Sequence, residues 1–434
     1  MNAYSGFYKN SAFMNYKIVF QLAVAITTRQ EIYLSKTIPF HILNTLSQAL
    51  IEVFEKGHHA DRMIDKYMRV NKNWKPDDRS FFAEAVYGII RHRRYLEFIA
   101  ESEKLWLVIA AYLVTKKLKP QVVRHEFKNS DAAKVKIRMN MQKPPAFEHS
   151  FPDWLYELGL KEFGTEWDAL MQSLNNEPQI FLRTNTLKTS ADKLIQSLKS
   201  DKIIVDKINN SLYLPDCLYL KERKNVFATQ AFKKGNFEMQ DAGSQFIAPL
   251  LDVQIGQQVV DACAGSGGKS LHLAALMQNK GKILAMDIHR FKLQDLKERA
   301  NRAGATILET QVIDSPKVIQ QLENKFDRVL IDSPCSGMGT LRRNPDTKWK
   351  LKPEQISTVC ALQKDILSRY SKMCKSGGLM VYATCSILKC ENEEQVIWFL
   401  NTPAGKNWSL RSEHRIWPHI HGFDGFYAAV LKRS

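Results

Sequence analysis

The feature that most narrows the fold is an alternation of strand and helix patterns that begins near Ser244 and fills the second half of the chain. "QVVDACAGSGGKSLHLAALM" reads as a strand, a glycine-rich turn and a helix. "KILAMDIH", "ILETQVID", "FDRVLIDSPCSG" and "LMVYATCS" read as further strands, with helical stretches that end at Gly304 and at Gly377–Gly378. Apolar strands joined by helices make a parallel sheet covered on both faces. Ligands of such sheets bind beyond the carboxyl ends of the strands. Asp287, Asp314, Asp332 and Cys385 all fall at those ends.

The chain has 434 residues, too many for one core, so two or three domains are expected. Residues 38 to about 118 carry helical periodicity in "ILNTLSQALIEVFEKG", "KPDDRSFFAEAVYGIIRHRRYLEFIAE" and "LWLVIAAYLVTKKLK". "QKPPAFEHSFPDW" (Gln142–Trp154) holds three prolines and no periodicity, which reads as a linker. From Pro152 short strands and helices mix, including "SADKLIQSLKS", which Ser190 can cap. The expected division is 1–37, an extension of unknown role; 38–141, helical; 142–243, linker and small α+β domain; and 244–434, the α/β domain.

The net charge of +17 is spread along the chain, since residues 251–434 carry 26 Lys and Arg against 18 Asp and Glu. That balance favours a polyanionic partner over a single basic tail. The seven cysteines show no C-x-x-C spacing, so neither zinc nor a redox pair is indicated, and a reduced cytosolic chain is expected. No run reaches the roughly 18 apolar residues of a membrane span. "KIVFQLAVAI" (Lys17–Ile26) is short and lacks the flanks of a signal peptide. A monomer without metal is expected.

"DACAGSGGKS" (Asp261–Ser270) follows a strand and opens a helix, where glycines let backbone N–H groups approach a ligand. It matches neither the P-loop nor the G-x-G-x-x-G pattern, and taken alone it is also a plain strand-to-helix turn. Asp287 follows at the next strand end, placed to accept from ribose hydroxyls or to start the next helix. The pair points to a nucleoside-containing cofactor. In "LIDSPCSGMGTLRRNPDTKWK", Asp332 precedes a Ser-Pro turn and Cys335. Arg342, Arg343 and Lys348 follow, interleaved with Trp349, a pattern that offers charges to phosphates and a ring to a splayed base. Cys360, Cys374, Cys217 and Cys390 read as structural, with Cys390 beside "ENEE", an acidic helix start that suits the helix dipole.

"DACAGSGGK", "DSPCSGMGTLRRNPDTKW", "YATCSILKCENEEQV" and "DGFYAAVLKR" resemble the Sun-type RNA cytosine-C5 methyltransferases. "FPDWLYELGLKEFGTEWDALMQSLNNEPQIFLRTNTLK" and "GNFEMQDAGSQ" are similar to that family's small RNA-binding domain. "DDRSFFAEAVYGIIRHRRYLEFI" is similar to the NusB-like domain of its bacterial small-subunit rRNA branch. The resemblance implies a Rossmann-like domain that uses S-adenosylmethionine, and RNA, first of all 16S rRNA, as substrate. It implies Cys385 as the nucleophile that adds to cytosine C6, Cys335 as the cysteine assisting release, and Asp332 as the carboxylate near base and cofactor. It implies a cofactor loop of Cys263, Ala264, Gly265, Ser266, Gly267, Gly268 and Lys269, with Asp287 at the ribose and Asp314 near the adenine. Ser266 stands where the family usually has Pro, Ser333 where it has Ala and Asn344 where His is common. The residues alone leave open which cysteine attacks, since DNA cytosine methyltransferases use the one after Pro. They also leave open tRNA or another RNA as substrate, and a non-catalytic RNA-binding assembly factor that keeps the fold.

Overall fold

A computed structural model describes residues 37–121, 125–127, 130–208 and 212–434. The apolar run at Lys17–Ile26 lies outside the described residues. Two compact units result. One holds the chain up to Glu177 with Glu222–Asn225 and Leu341–Lys350; the other holds Pro178–Lys221, Val226–Thr340 and Leu351–Ser434.

The first unit is helical. Helices Phe40–Phe54, Pro76–Arg91, Arg93–Ala100 and Leu105–Thr115 occupy the three predicted runs. The second run breaks at His92, whose backbone leaves the helical region. Two further helices, Ala60–Val70 and Ala132–Met139, fall outside the predicted runs. The first of them buries only Ala60, Met63, Ile64 and Met68, a thin stripe with helical spacing. The second starts on Asp131, whose carboxylate accepts the N–H groups of Ala133 and Lys134. Ile42, Leu46, Leu50, Phe82, Val86, Ile89 and Ile109 form the shared core. Helices Asp153–Phe163 and Trp167–Asn175 belong to this unit, so the compact boundary lies some way after the proline-rich stretch proposed as a linker. That stretch itself winds into one turn, Pro145–Glu148.

The second unit contains two sheets. The smaller is antiparallel, with β1 (Phe181–Thr184), β2 (Val205–Lys207), β3 (Cys217–Leu220) and β4 (Phe237–Met239) in the order β2-β3-β1-β4. Helix Ala191–Ser200 connects β1 to β2, and the short helix Gln230–Lys233 connects β3 to β4, which is the ferredoxin-like βαββαβ arrangement. Ser190 caps the first helix as expected, its hydroxyl accepting the Lys193 N–H.

The larger sheet contains β5 (Gln258–Asp261), β6 (Lys282–Asp287), β7 (Leu308–Val312), β8 (Phe326–Asp332), β9 (Cys374–Thr384), β10 (Trp408–Ile416) and β11 (Phe426–Arg433). Their order is β10-β11-β9-β8-β5-β6-β7. β5 to β9 pair in parallel as the alternation requires, whereas β11 runs antiparallel to both its neighbours. Helices Gly268–Leu276, Arg290–Ala303 and Pro353–Tyr370 cover the sheet, and the chain turns back from β5 to β8, which creates the crevice where such sheets bind ligands. Gly304 ends its helix in the left-handed region, as expected. Gly377 and Gly378 fall inside β9 instead, because the preceding helix stops at Tyr370. Among the described residues, no helix is long and apolar enough to cross a membrane.

Candidate active site

Strand register sets the heights of the groups at the carboxyl edge. Asp261 of β5 pairs with Ala285 and with Leu330. Asp287, Val312, Asp332 and Ala383 therefore stand one further side-chain repeat along their strands. Cys385 lies two residues past Ala383, and Asp314 two past Val312 and exposed. The sequence-predicted residues at strand ends thus share one edge of one sheet.

The loop after β5 is held from both sides. The Ala262 N–H donates to the Leu330 carbonyl and the Ala264 N–H to the Met286 carbonyl, both at 2.8 Å. Gly265 donates its N–H to Asp287 Oδ2 at 3.0 Å, and the other Asp287 oxygen accepts from His289 at 2.8 Å. Asp287 thus ties the glycine-rich loop to the turn that leads into helix Arg290–Ala303, whose N-cap is His289. Gly267 has φ +84°, and a Cβ there would sit 2.4 Å from Leu296 Cγ, so only glycine fits. Arg299 secures the loop further by donating to the Ser266 carbonyl at 2.7 Å.

Two polar atoms around this loop are left over. Asp261 accepts from the Ser270 hydroxyl at 2.6 Å through one oxygen, and its other oxygen is buried without a partner. Burial pushes this carboxyl up to about 7, against the Ser270 hydrogen bond that opposes the rise. The Ser266 hydroxyl is likewise buried without a partner. A glycine-lined helix start, orphaned polar atoms and acidic strand ends together suit the amino-acid and ribose parts of a nucleoside cofactor such as S-adenosylmethionine. Cys263, Ala264, Gly265, Ser266, Gly267, Gly268, Lys269 and Asp287 would hold it.

Lys269 also reaches across the edge. Its ammonium donates to Asp332 Oδ2 at 2.6 Å and lies 5.3 Å from the centre of the Phe426 ring. The Asp332 side chain is 30% exposed and can meet a ligand. Past it, the sulfurs of Cys335 and Cys385 are 3.2 Å apart, and both residues are partly exposed. The nearby Cys385 sulfur, then burial and the charge of Glu391, push the Cys335 thiol well above its ordinary range. All seven cysteines are free. Among the described residues, no three His, Cys, Asp or Glu side chains group so as to hold a metal ion.

The basic run after Cys335 does not do what its pattern suggested. Arg342 donates to the carbonyl and hydroxyl oxygens of Ser173 and is buried. Lys348 is buried too; its ammonium donates to the Arg91 carbonyl at 2.7 Å and Asn175 Oδ1 at 3.0 Å, and lies 4.6 Å from the Phe151 ring centre. Trp349 donates to the Ile90 carbonyl and packs on the helical core. Arg343 is half-buried. Arg342, Lys348 and Trp349 are held inside the first unit, which gives these three a structural role in place of the expected contact with RNA phosphates and bases.

Sequence reasoning also missed the group beneath the two thiols. Glu391, placed in an acidic helix start by its neighbours, is fully buried and accepts from Ser336 and Ser386, the residues that follow the two cysteines. The Cys-Ser dipeptide occurring twice, fifty residues apart, was the available signal.

Comparison with known proteins follows the same lines. A family model described as 16S rRNA methyltransferase RsmB/F matches residues 248–432, and one described as Methyltr_RsmF/B-like, ferredoxin-like domain matches residues 151–227. A probable ribosomal RNA small subunit methyltransferase B of Synechocystis sp. (strain ATCC 27184 / PCC 6803 / Kazusa) is 31% identical over 440 residues, covering 89% of this chain and 98% of that protein. The probable ribosomal RNA small subunit methyltransferase B of Bacillus subtilis (strain 168) is 32% identical, with 89% and 97% covered. Among solved structures, the crystal structure of PH0851 matches with a TM-score of 0.73 at 26% identity, covering 90% of this chain and 98% of that one. The crystal structure of NSun6 from Pyrococcus horikoshii with SFG matches in fold, with a TM-score of 0.58 at 24% identity over 66% of this chain.

Proposed function

Because the chain belongs to the 16S rRNA methyltransferase RsmB/F family, we propose that it methylates C5 of a cytosine in small-subunit ribosomal RNA through a covalent bond between Cys385 and C6. The observation that carries this reading is the pair of thiols 3.2 Å apart at the ends of adjacent parallel strands, beside the Lys269–Asp332 pair. When bound, S-adenosylmethionine supplies an electrophilic methyl group. C5 of cytosine is a poor nucleophile until C6 is saturated, and a thiolate adding at C6 makes C5 enamine-like. Asp332 relays a proton from the Lys269 ammonium to N3, which eases that addition, and the proton returns by the same path when the C6–S bond breaks. After C5 has taken the methyl group, its proton leaves to water and the C6–S bond breaks. The Cys335 S–H donates to the departing Cys385 sulfur and stabilises it as a thiolate. The base must leave its stack to reach this edge.

The helical unit is read as the NusB-like part of the same family, supported by relatives that match across almost their whole length. The test is bisulfite sequencing of small-subunit rRNA and tRNA from cells with and without the gene. One rRNA cytosine should lose protection when the gene is absent. Loss at a tRNA cytosine instead would move the substrate, and loss at none would end the catalytic reading.

A further inference from the structure

The two reacting thiols sit on separate strands, and nothing in the strands themselves fixes a sulfur–sulfur distance. Cys335 lies beyond the end of β8 and Cys385 just beyond the end of β9. Each is followed by a serine, and the two serines behave alike. Ser336 Oγ accepts the N–H of Met338 at 3.4 Å, and Ser386 Oγ accepts the N–H of Leu388 at 3.2 Å. Each hydroxyl thus closes its own loop two residues on, a common serine turn. Both hydroxyls then donate to the same oxygen, Glu391 Oε1, at 2.5 Å. The other oxygen, Oε2, accepts the Ser336 N–H at 2.7 Å and the Gln363 amide at 3.2 Å. Four donors match the roughly four lone-pair sites of an ionised carboxylate.

Glu391 is in turn fixed from behind, since its carbonyl accepts from the buried Tyr382 hydroxyl of β9 at 2.7 Å. Asn392, next along, accepts from Thr384 Oγ1 at 2.5 Å and donates to the Ser386 carbonyl at 3.0 Å. The Cys385 carbonyl accepts the Gly339 N–H at 2.9 Å, and a Cβ at Gly339 would lie 2.8 Å from that same oxygen. The two cysteine loops are therefore pressed together above a single buried carboxylate.

We propose that Glu391 is the positioning residue of the site: by holding Ser336 and Ser386 on one carboxylate it sets the distance and orientation of the Cys335 and Cys385 sulfurs. It touches neither substrate nor cofactor. The proposal rests on reading those two cysteines as the reacting pair, but the geometry can be tested without any methylation. Two thiols in contact and suitably oriented form a disulfide quickly when diamide is added; the thiols lose two protons and two electrons, and the diazene becomes the hydrazine. The Cys335–Cys385 disulfide, identified by peptide mass spectrometry on the full-length protein, should form about tenfold more slowly in Glu391→Ala than in the wild type. Glu391→Gln should stay close to wild type, because the serine hydroxyls can turn to accept from the amide while the remaining oxygen keeps the Ser336 N–H. Ser336→Ala with Ser386→Ala should reproduce the slow oxidation with the carboxylate still in place, and serves if Glu391→Ala does not fold. With unmethylated small-subunit rRNA, Glu391→Ala should lower kcat about 100-fold while KM for RNA and for S-adenosylmethionine stays within about threefold of wild type. Wild-type oxidation rates in both Glu391→Ala and the double serine variant would overturn the proposal, as would a wild type that forms no Cys335–Cys385 disulfide. A wild type that oxidises as expected but methylates no RNA would instead sink the function proposed above and leave the positioning role standing.

Discussion

The segment Leu341–Lys350 and the paired cysteine loops solve opposite versions of one problem. In the first, buried cations are held by neutral acceptors: Arg91 by the Arg342 carbonyl, Arg342 by Ser173, and Lys348 by a carbonyl, an amide oxygen and an aromatic face. In the second, a buried carboxylate is held by neutral donors, two hydroxyls, an amide and a backbone N–H. Burying a charge is expensive unless its hydrogen-bonding capacity is met; the carboxylate meets it with four donors, whereas Arg91 keeps a buried Nε without a partner. The difference lies in what the order is used for. The first region ties a remote piece of chain into the helical core; the second holds reactive groups. Substitutions in the first should therefore alter stability with little effect on chemistry, and substitutions of the two thiols in the second should alter chemistry with little effect on stability.

The largest expected effect belongs to the thiols. Cys385→Ala should lower methyl transfer by at least about a thousandfold without trapping RNA, while Cys335→Ala should accumulate a covalent RNA adduct visible on a denaturing gel. Trapping by Cys385→Ala and loss by Cys335→Ala would reverse the two roles. Both variants should unfold at the wild-type temperature.

Next comes Asp346, which accepts from Lys350 at 2.5 Å and faces His59. Burial alone would raise its carboxyl, but His59 and Lys350 hold it at about 2, below its ordinary 3.8. A lowered folded value stabilises above the unfolded one, and this contribution is lost as pH falls through about 2. Asp346→Asn should therefore cost about 2 kcal/mol at pH 7 in urea unfolding of the first unit, with the gap to wild type closing between pH 4 and pH 2. Methyl transfer at pH 7 and a temperature where both proteins are folded should be unchanged.

The smallest effect separates a structural lysine from a phosphate contact. Lys348→Met leaves the Arg91 carbonyl and Asn175 without their donor and should cost about 1 kcal/mol of stability. It should leave the salt dependence of RNA binding unaltered. A slope reduced by about one would return Lys348 to the RNA surface.

The central strands were legible in the sequence because their apolar runs are uninterrupted and each ends in a turn with a polar or sulfur-bearing residue. Strand order β9-β8-β5-β6 then makes one edge of those ends, which is why Asp287, Asp332 and Cys385 were found before any contact was known. What escaped depended on long-range partners. Lys348 and Arg91 are 257 residues apart, and no local pattern says that a basic run will turn inward. Glu391 shares its neighbourhood with Glu393 and Glu394, which do stand in the first turn of helix Glu393–Leu400 as the dipole favours. Only the serines across the strand gap distinguish it from them. The helix at Ala60–Val70 was missed for a simpler reason, its narrow apolar stripe.

The membership of Leu341–Lys350 has a practical side. The α/β half of the chain cannot be excised cleanly by cutting after Glu177. Such a fragment would still carry Arg342, Lys348 and Trp349, now stripped of Ser173, Asn175, Phe151 and the Ile90 and Arg91 carbonyls that satisfy them. It would expose an aromatic ring and two unhoused cations a few residues downstream of Cys335, a sticky, polyanion-seeking loop that the intact protein does not have. Apparent RNA affinity measured on that fragment would report the cut and not the enzyme.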